Sequence, residues 1–182
     1  MDRYLIRGFI DGLLSTLGIV IGASTVIGSG QASASQIIIS AGLGGGVANG
    51  LSNLLGAFMG EKAALSKRYE RLEKAMLKDG AVKESKVDEE FRDKVLTSGI
   101  IDGVSTMIGA VIPVIPFIFA VIFGFNPLSA LYSSLGLSVS LFFVLGAYIG
   151  KISRGNIFYS ALKMGAFGGV TALIVALLRM VI

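Results

Sequence analysis

The chain has 182 residues, of which 53% are hydrophobic and only 15% charged, with a net charge of +4; an ordinary soluble domain is roughly 25% charged. It has no cysteine and no histidine, which excludes disulfides, thiolate or imidazole metal sites and any nucleophile paired with histidine. This is the composition of a membrane protein whose metal ligands would be oxygen and thioether, and its basic residues cluster beside apolar runs, where they set topology and give no sign of nucleic-acid binding.

Five stretches reach the ~20 apolar residues that a bilayer crossing takes: roughly 5 to 28, 37 to 60, 98 to 124, 127 to 150 and 158 to 181. The fold class read from them is all-α, a polytopic membrane protein with five transmembrane helices. Residues 1–60 hold the first two spans, 61–98 a charged cytoplasmic segment, and 99–182 the last three spans. The first run imitates a signal peptide with Ala32-Ser33-Ala34 as its cleavage site. It is too long, carries Asp11 and is followed by comparable spans, so it reads as a retained helix.

In the first span, Asp11 is the last charged residue before Glu61. An ionisable group in such a run is a functional candidate by default. Asp11, Ser15, Gly18 and Gly22 are spaced by four, three and four residues and share one helix face, and the small members suit close helix packing. The second span carries Gly42, Gly46 and Gly50, with Asn49, Asn53, Gly56 and Gly60 one position round. Asn49 and Asn53 must find partners inside the membrane, and they join Asp11 as candidate ligands.

From Glu61 to Ser98 the chain looks soluble. Leu65, Tyr69, Leu72 and Met76 form one helical stripe, Gly80 is a natural stop, and Ser85 with Asp88 resembles a capping box before a second stripe of Val87, Phe91 and Val95. The expectation is a helical hairpin of two short amphipathic helices. Glu70, Asp88 and Glu90 precede Lys74, Arg92 and Lys94 by four residues, the spacing of surface ion pairs. Glu70 and Glu73 are weaker candidates for cytoplasmic metal capture.

The third span opens on Ile101-Asp102-Gly103, matching Ile10-Asp11-Gly12, and no charge follows Asp102 until Lys151. Leu55-Gly56-Ala57 near the end of the second span recurs as Leu145-Gly146-Ala147 in the fourth. The two matches lie 91 and 90 residues apart, which reads as a parallel repeat of a two-helix unit, an arrangement that tends to place a site between its copies. Asp102 is a candidate ligand on that ground, and Gly109 continues its face. Pro113 and Pro116 interrupt the span near mid-membrane, each removing a backbone donor. Arg3, Arg7, ten Lys and Arg residues from Lys62 to Lys94, and Lys151, Arg154 and Lys163 all flank the same ends of the spans. The positive-inside bias then places the N-terminus in the cytoplasm and the C-terminus outside.

Asp11-Gly12, Gly60-Glu61 closing a glycine-rich span, the phrase Gly109-Ala110-Val111-Ile112-Pro113-Val114-Ile115-Pro116, and Gly165, Gly168 and Gly169 in the last span resemble the vacuolar iron transporter family of iron and manganese transporters. The resemblance covers all five spans. It implies a homodimer with a metal path along the dimer interface, exporting Fe2+ or Mn2+ from the cytoplasm against protons, with no permanently bound cofactor. The membrane would be the cell membrane, or the vacuolar membrane in a eukaryotic cell. Asp11 matches the family aspartate, and Gly60-Glu61 its Gly-Glu pair. The family's Ser-Met one turn earlier is Gly56-Ala57 here, leaving Met59 as the substitute thioether; the cytoplasmic segment is short, and Asp102 lies outside the family pattern.

Two other readings stand beside this one. An intramembrane aspartyl protease would pair Asp11 with Asp102, but the Gly-x-Gly-Asp and Pro-Ala-Leu phrases of such enzymes are absent, and no enzyme is expected. A non-transporting membrane scaffold, or a transporter of another small cation, would use the same packing faces.

Overall fold

The computed structural model describes residues 2–28, 33–76 and 86–181, and every regular element among them is helical. Helix α1 spans Asp2–Ala23, followed by the single turn α2 (Thr25–Gly28), α3 (Ala34–Met76) and α4 (Lys86–Val111). A 3-10 turn, Ile112–Val114, leads into α5 (Ile115–Phe123), and α6 (Pro127–Ile152) and α7 (Ile157–Val181) complete the chain. Five of these segments are long and apolar enough to cross a membrane, with α4 and α5 together forming one of them.

The two helical stretches of the charged segment are continuous with the second and third spans. Helix α3 runs unbroken for 43 residues, about 65 Å at 1.5 Å per residue, roughly twice a hydrocarbon core. The boundaries read at 60/61 and 98/99 therefore fall inside continuous helices, and the two amphipathic stripes are extensions of the second and third spans. One mid-helix glycine costs only about 1 kcal/mol, and after Gly60 the run Glu61-Lys62-Ala63-Ala64-Leu65 is rich in strong helix formers. The extensions pack on each other through buried Leu65 and Val95 and through Tyr69 and Phe91, whose ring centroids are 5.5 Å apart. Gly80 and Ser85 lie outside the described residues, as do 29–32 of the first connection.

Helices α1, α3 and α4 form the tightest group. Gly8 and Gly12 press α1 against the α4 backbone at the carbonyls of Asp102 and Thr106, and Gly109 returns the contact at the Phe9 carbonyl. A Cβ on Gly50 would stand 2.9 Å from the Gly103 carbonyl oxygen, and one on Gly103 2.8 Å from that of Gly50. Gly18 and Gly22 make little contact within this chain: a Cβ on Gly18 would meet only a Val175 methyl at 3.9 Å, and among the described residues nothing lies within 4 Å of one on Gly22. The close-packing pair on α1 is instead Gly8 and Gly12, four residues apart at its charged end.

Pro113 sits in the 3-10 turn and Pro116 opens α5. The missing donors are partly compensated: Ile115 N–H bonds the Ile112 carbonyl, and the Ser134 hydroxyl on α6 donates to the Pro113 carbonyl at 2.6 Å. Gly124, at φ 70°, closes α5 in the left-handed region, where glycine carries no Cβ penalty. Asn126 then caps α6 by accepting from Leu128 N–H at 2.9 Å, with Pro127 in the first turn. Apolar cores on either side of α1 fix it against the other helices, one around Leu13, Leu17 and Phe142, the other around Val20, Ile38 and Phe117.

Candidate functional site

Positions 3, 7, 11 and 15 of α1 follow one another at one-turn intervals of ~6 Å, and each meets a polar partner across the bundle. At the charged end, Arg3 pairs with Glu61 of α3 at 2.7 Å, and the Tyr4 hydroxyl donates to the same carboxylate. The Arg3 and Arg7 guanidinium carbons lie 4.7 and 5.3 Å from the Tyr4 ring centroid, within cation–π range. One turn deeper, Arg7 pairs with Asp102 of α4, its Nε donating to Oδ1 at 3.3 Å and its NH2 group to Oδ2. The Asp102 side chain is completely buried, while that of Arg7 is 56% exposed.

Another turn in stands Asp11, and its surroundings change character. Asn49 and Asn53, one turn apart on α3, both donate to its Oδ2, at 3.0 and 2.6 Å. The same amides reach the hydroxyls of Ser15, at 3.0 Å, and Thr106, at 2.9 Å. Thr106 in turn donates to the backbone carbonyl of Asp102 at 2.7 Å, so α1, α3 and α4 are stitched together around one carboxylate. Among the described residues no cation pairs with Asp11. Five residues beyond it, the buried Thr16 hydroxyl has no hydrogen-bond partner among the described residues.

The ligand set expected from the sequence therefore divides into tiers. Asp11, Asn49 and Asn53 come together. Glu61 and Asp102 are held apart from them by Arg3, Tyr4 and Arg7, and Met59 is 68% exposed on α3, outside the cluster. Glu70 pairs with Lys74 at 2.6 Å in the open, a contact that holds its carboxyl below the usual range; neither it nor Glu73 joins a ligand group. Among the described residues no three carboxylates converge as a metal cage would require. On the α4 extension, buried Asp88 accepts from the Tyr69 hydroxyl at 2.7 Å and meets Arg92 at 3.4 Å. Burial, with the bond to Asp88 second, pushes the Tyr69 phenol up to about 12.

The sequence reading missed Tyr4, Arg7 and Thr106 as members of the site. The signal for Arg7 was present, since it lies four residues before Asp11; its partner on another helix was not legible. Chemically, the Asp11 tier offers carboxylate, amide and hydroxyl groups only. An asparagine amide that turns over presents Oδ1 in place of its NH2, so Asp11, Asn49, Asn53, Ser15 and Thr106 can supply up to five oxygen-bearing side chains, the ligand type that suits hard and borderline divalent cations.

Two comparisons with known proteins bear on this site. The profile of the VIT family matches residues 61–179, which takes in Glu61, Asp102, the proline break and the last two spans. An uncharacterized protein of Methanocaldococcus jannaschii is 48% identical over 165 residues, covering 90% of this chain and 81% of its own. Five apolar helices, an interrupted third span and a profile match over more than half the chain lead to one conclusion: this is a multi-pass integral membrane protein of the VIT family, a family of membrane metal-ion transporters.

Proposed function

We propose that the chain exports a divalent metal cation, Fe2+ or Mn2+, from the cytoplasm in exchange for protons, and that it does so as a homodimer in the cell membrane. The observation that carries this reading is the Asp11 tier: a carboxylate among membrane-spanning helices with no cationic partner among the described residues, surrounded by side chains that can turn oxygen toward a cation. A proton and a metal ion compete for the same carboxylate oxygens, which supports opposed movement of the two. The basic residues at the ends carrying Arg3, Lys62 and Lys151 support a cytoplasmic N-terminus and an outward C-terminus. Open space over Gly22, Gly56 and Gly60 leaves small-residue surface for a second copy.

The test is a flux panel of iron, manganese, magnesium and calcium in proteoliposomes with an internal pH dye. The reading expects iron or manganese uptake with opposite proton movement; no metal flux would favour a membrane scaffold, and flux indifferent to pH would remove the antiport. In the same membranes, Ser15→Cys and Gly22→Cys are expected to crosslink between copies, which is unambiguous because the chain has no native cysteine. Crosslinking only at lipid-facing control positions would place the interface elsewhere.

A further inference from the structure

At the charged end, the extensions of α3 and α4 flank a half-open cavity of about 420 Å³. Its walls are apolar, with Phe58 and Leu65 on one helix and Val95 and Leu96 on the other, and two cations, Lys62 and Arg92, stand among them. Tyr69 and Asp88 close its outer end, already bonded to each other. Lys62 has no ion-pair partner among the described residues. Arg92 reaches Asp88 through one nitrogen at 3.4 Å with its side chain 77% exposed, so most of its five donors remain available. The Asp88 carboxylate is taken up by Tyr69 and Arg92, and the absence of a three-acid group among the described residues argues against a metal as occupant.

The position of the cavity defines the occupant. Phe58 and Leu96 lie where the second span ends and the third begins. Leu96 also opens a stripe of exposed apolar side chains on one face of α4, continuing through Ile100, Val104 and Ile108 at four-residue intervals. An apolar track thus runs along the membrane-spanning part of α4 and ends between two cations at the membrane edge, which is the outline of an acyl chain below an anionic headgroup. We propose that this groove binds an anionic phospholipid, with its phosphate between Lys62 and Arg92 and an acyl chain along Leu96, Ile100, Val104 and Ile108. This is independent of the transport reading, since no residue of the Asp11 tier takes part.

The chain contains no tryptophan, so Leu96→Trp, at a half-exposed position, places a unique fluorophore at the groove. The full chain carrying it is reconstituted in vesicles in which either phosphatidylglycerol or phosphatidylcholine bears brominated acyl chains at equal mole fraction. The expected result is preferential quenching by the brominated anionic lipid, with an apparent affinity about fivefold above that for phosphatidylcholine, the scale of one basic residue at a membrane surface. Lys62→Gln in the same background should weaken the preference, and Lys67→Gln, outside the cavity, should keep it. Equal quenching by the two lipids, or a preference unchanged by Lys62→Gln, overturns the proposal. Competition by soluble glycerol phosphate also overturns it, in favour of a small-anion site. Should Leu96→Trp fail to fold, native mass spectrometry of the unaltered protein makes the same comparison, and equal retention of the two lipids overturns the proposal.

Discussion

Asn53 donates to Asp11 Oδ2 at 2.6 Å while the same amide nitrogen stands 2.9 Å from the Thr106 hydroxyl, so one side chain of α3 holds α1 and α4 in register at the depth of the candidate cation site. Replacing Asp11 by Asn keeps the shape but removes the only carboxylate of this tier. Metal flux is expected to disappear in Asp11→Asn with the size-exclusion profile unchanged. Asn53→Leu, which strips the bridge, is expected to lower both flux and stability, the latter by about 1–3 kcal/mol. Glu70→Gln with Glu73→Gln should lower flux only modestly, since Glu70 is spent on an exposed pair. Initial flux per mole of folded protein ranks all three, and wild-type flux in Asp11→Asn would remove the site.

Arg7 and Asp102 make a different kind of pair. Arg7→Gln leaves the buried Asp102 carboxylate unpaired and is expected to cost about 3–5 kcal/mol; Asp102→Asn leaves only the half-exposed Arg7 and is expected to cost less. The double variant Arg7→Gln with Asp102→Asn should be less destabilised than the sum of the singles, by about 1–3 kcal/mol, measured by thermal unfolding in detergent. Strict additivity would mean that the two groups do not interact. Flux per folded molecule should fall less in Asp102→Asn than in Asp11→Asn, which separates a structural carboxylate from a ligand.

Close packing gives a third test. A Cβ at position 12 would lie 2.8 Å from the Thr106 carbonyl carbon and 2.9 Å from the Ala110 nitrogen, both backbone atoms that cannot rotate away. Gly12→Ala is therefore expected to cost about 1–3 kcal/mol and to pull α1 off α4. Gly136→Ala, with nothing within 4 Å, should be neutral or stabilising by up to ~1 kcal/mol through helix propensity. Thermal melts of the two variants decide, and equal melts would refute the α1–α4 contact.

The Tyr69 phenol provides a pH test outside the membrane. Its folded value of about 12 lies above the ordinary 10.0, so the folded state favours the protonated form. Its contribution to stability is complete below pH 10 and is lost as the pH rises from there through 12. Tyrosinate absorbance should contain a late step that Tyr69→Phe removes. Asp88→Asn should move it partway back toward 10.0, since burial remains. A titration of Tyr69 with the exposed tyrosines would contradict the half-buried Tyr69–Asp88 contact.

The five spans, the helical class and the interruption at Pro113 and Pro116 were legible because each rests on local properties: apolar run length, missing backbone donors and charge at run ends. Asp11 with Asn49 and Asn53 was legible for a related reason, since polar groups inside apolar spans must meet one another. Partner choice was not. Asp102 and Asp11 head nearly identical phrases, yet one meets Arg7 and the other two amides; which helix lies opposite each aspartate is a property of the bundle, not of the phrase. The continuity of α3 through Gly60 was missed because a change from apolar to charged residues marks the edge of a membrane without marking the end of a helix.

The unbroken course of α3 has a mechanical consequence. Asn53 and Tyr69 belong to one rod and stand 16 residues apart along it, about 24 Å, with no proline between them to absorb a bend. A rigid-body tilt of α3 at the Tyr69–Asp88 end would carry the amides around Asp11 with it, so whatever fastens the outer ends of α3 and α4 together would also restrain those amides.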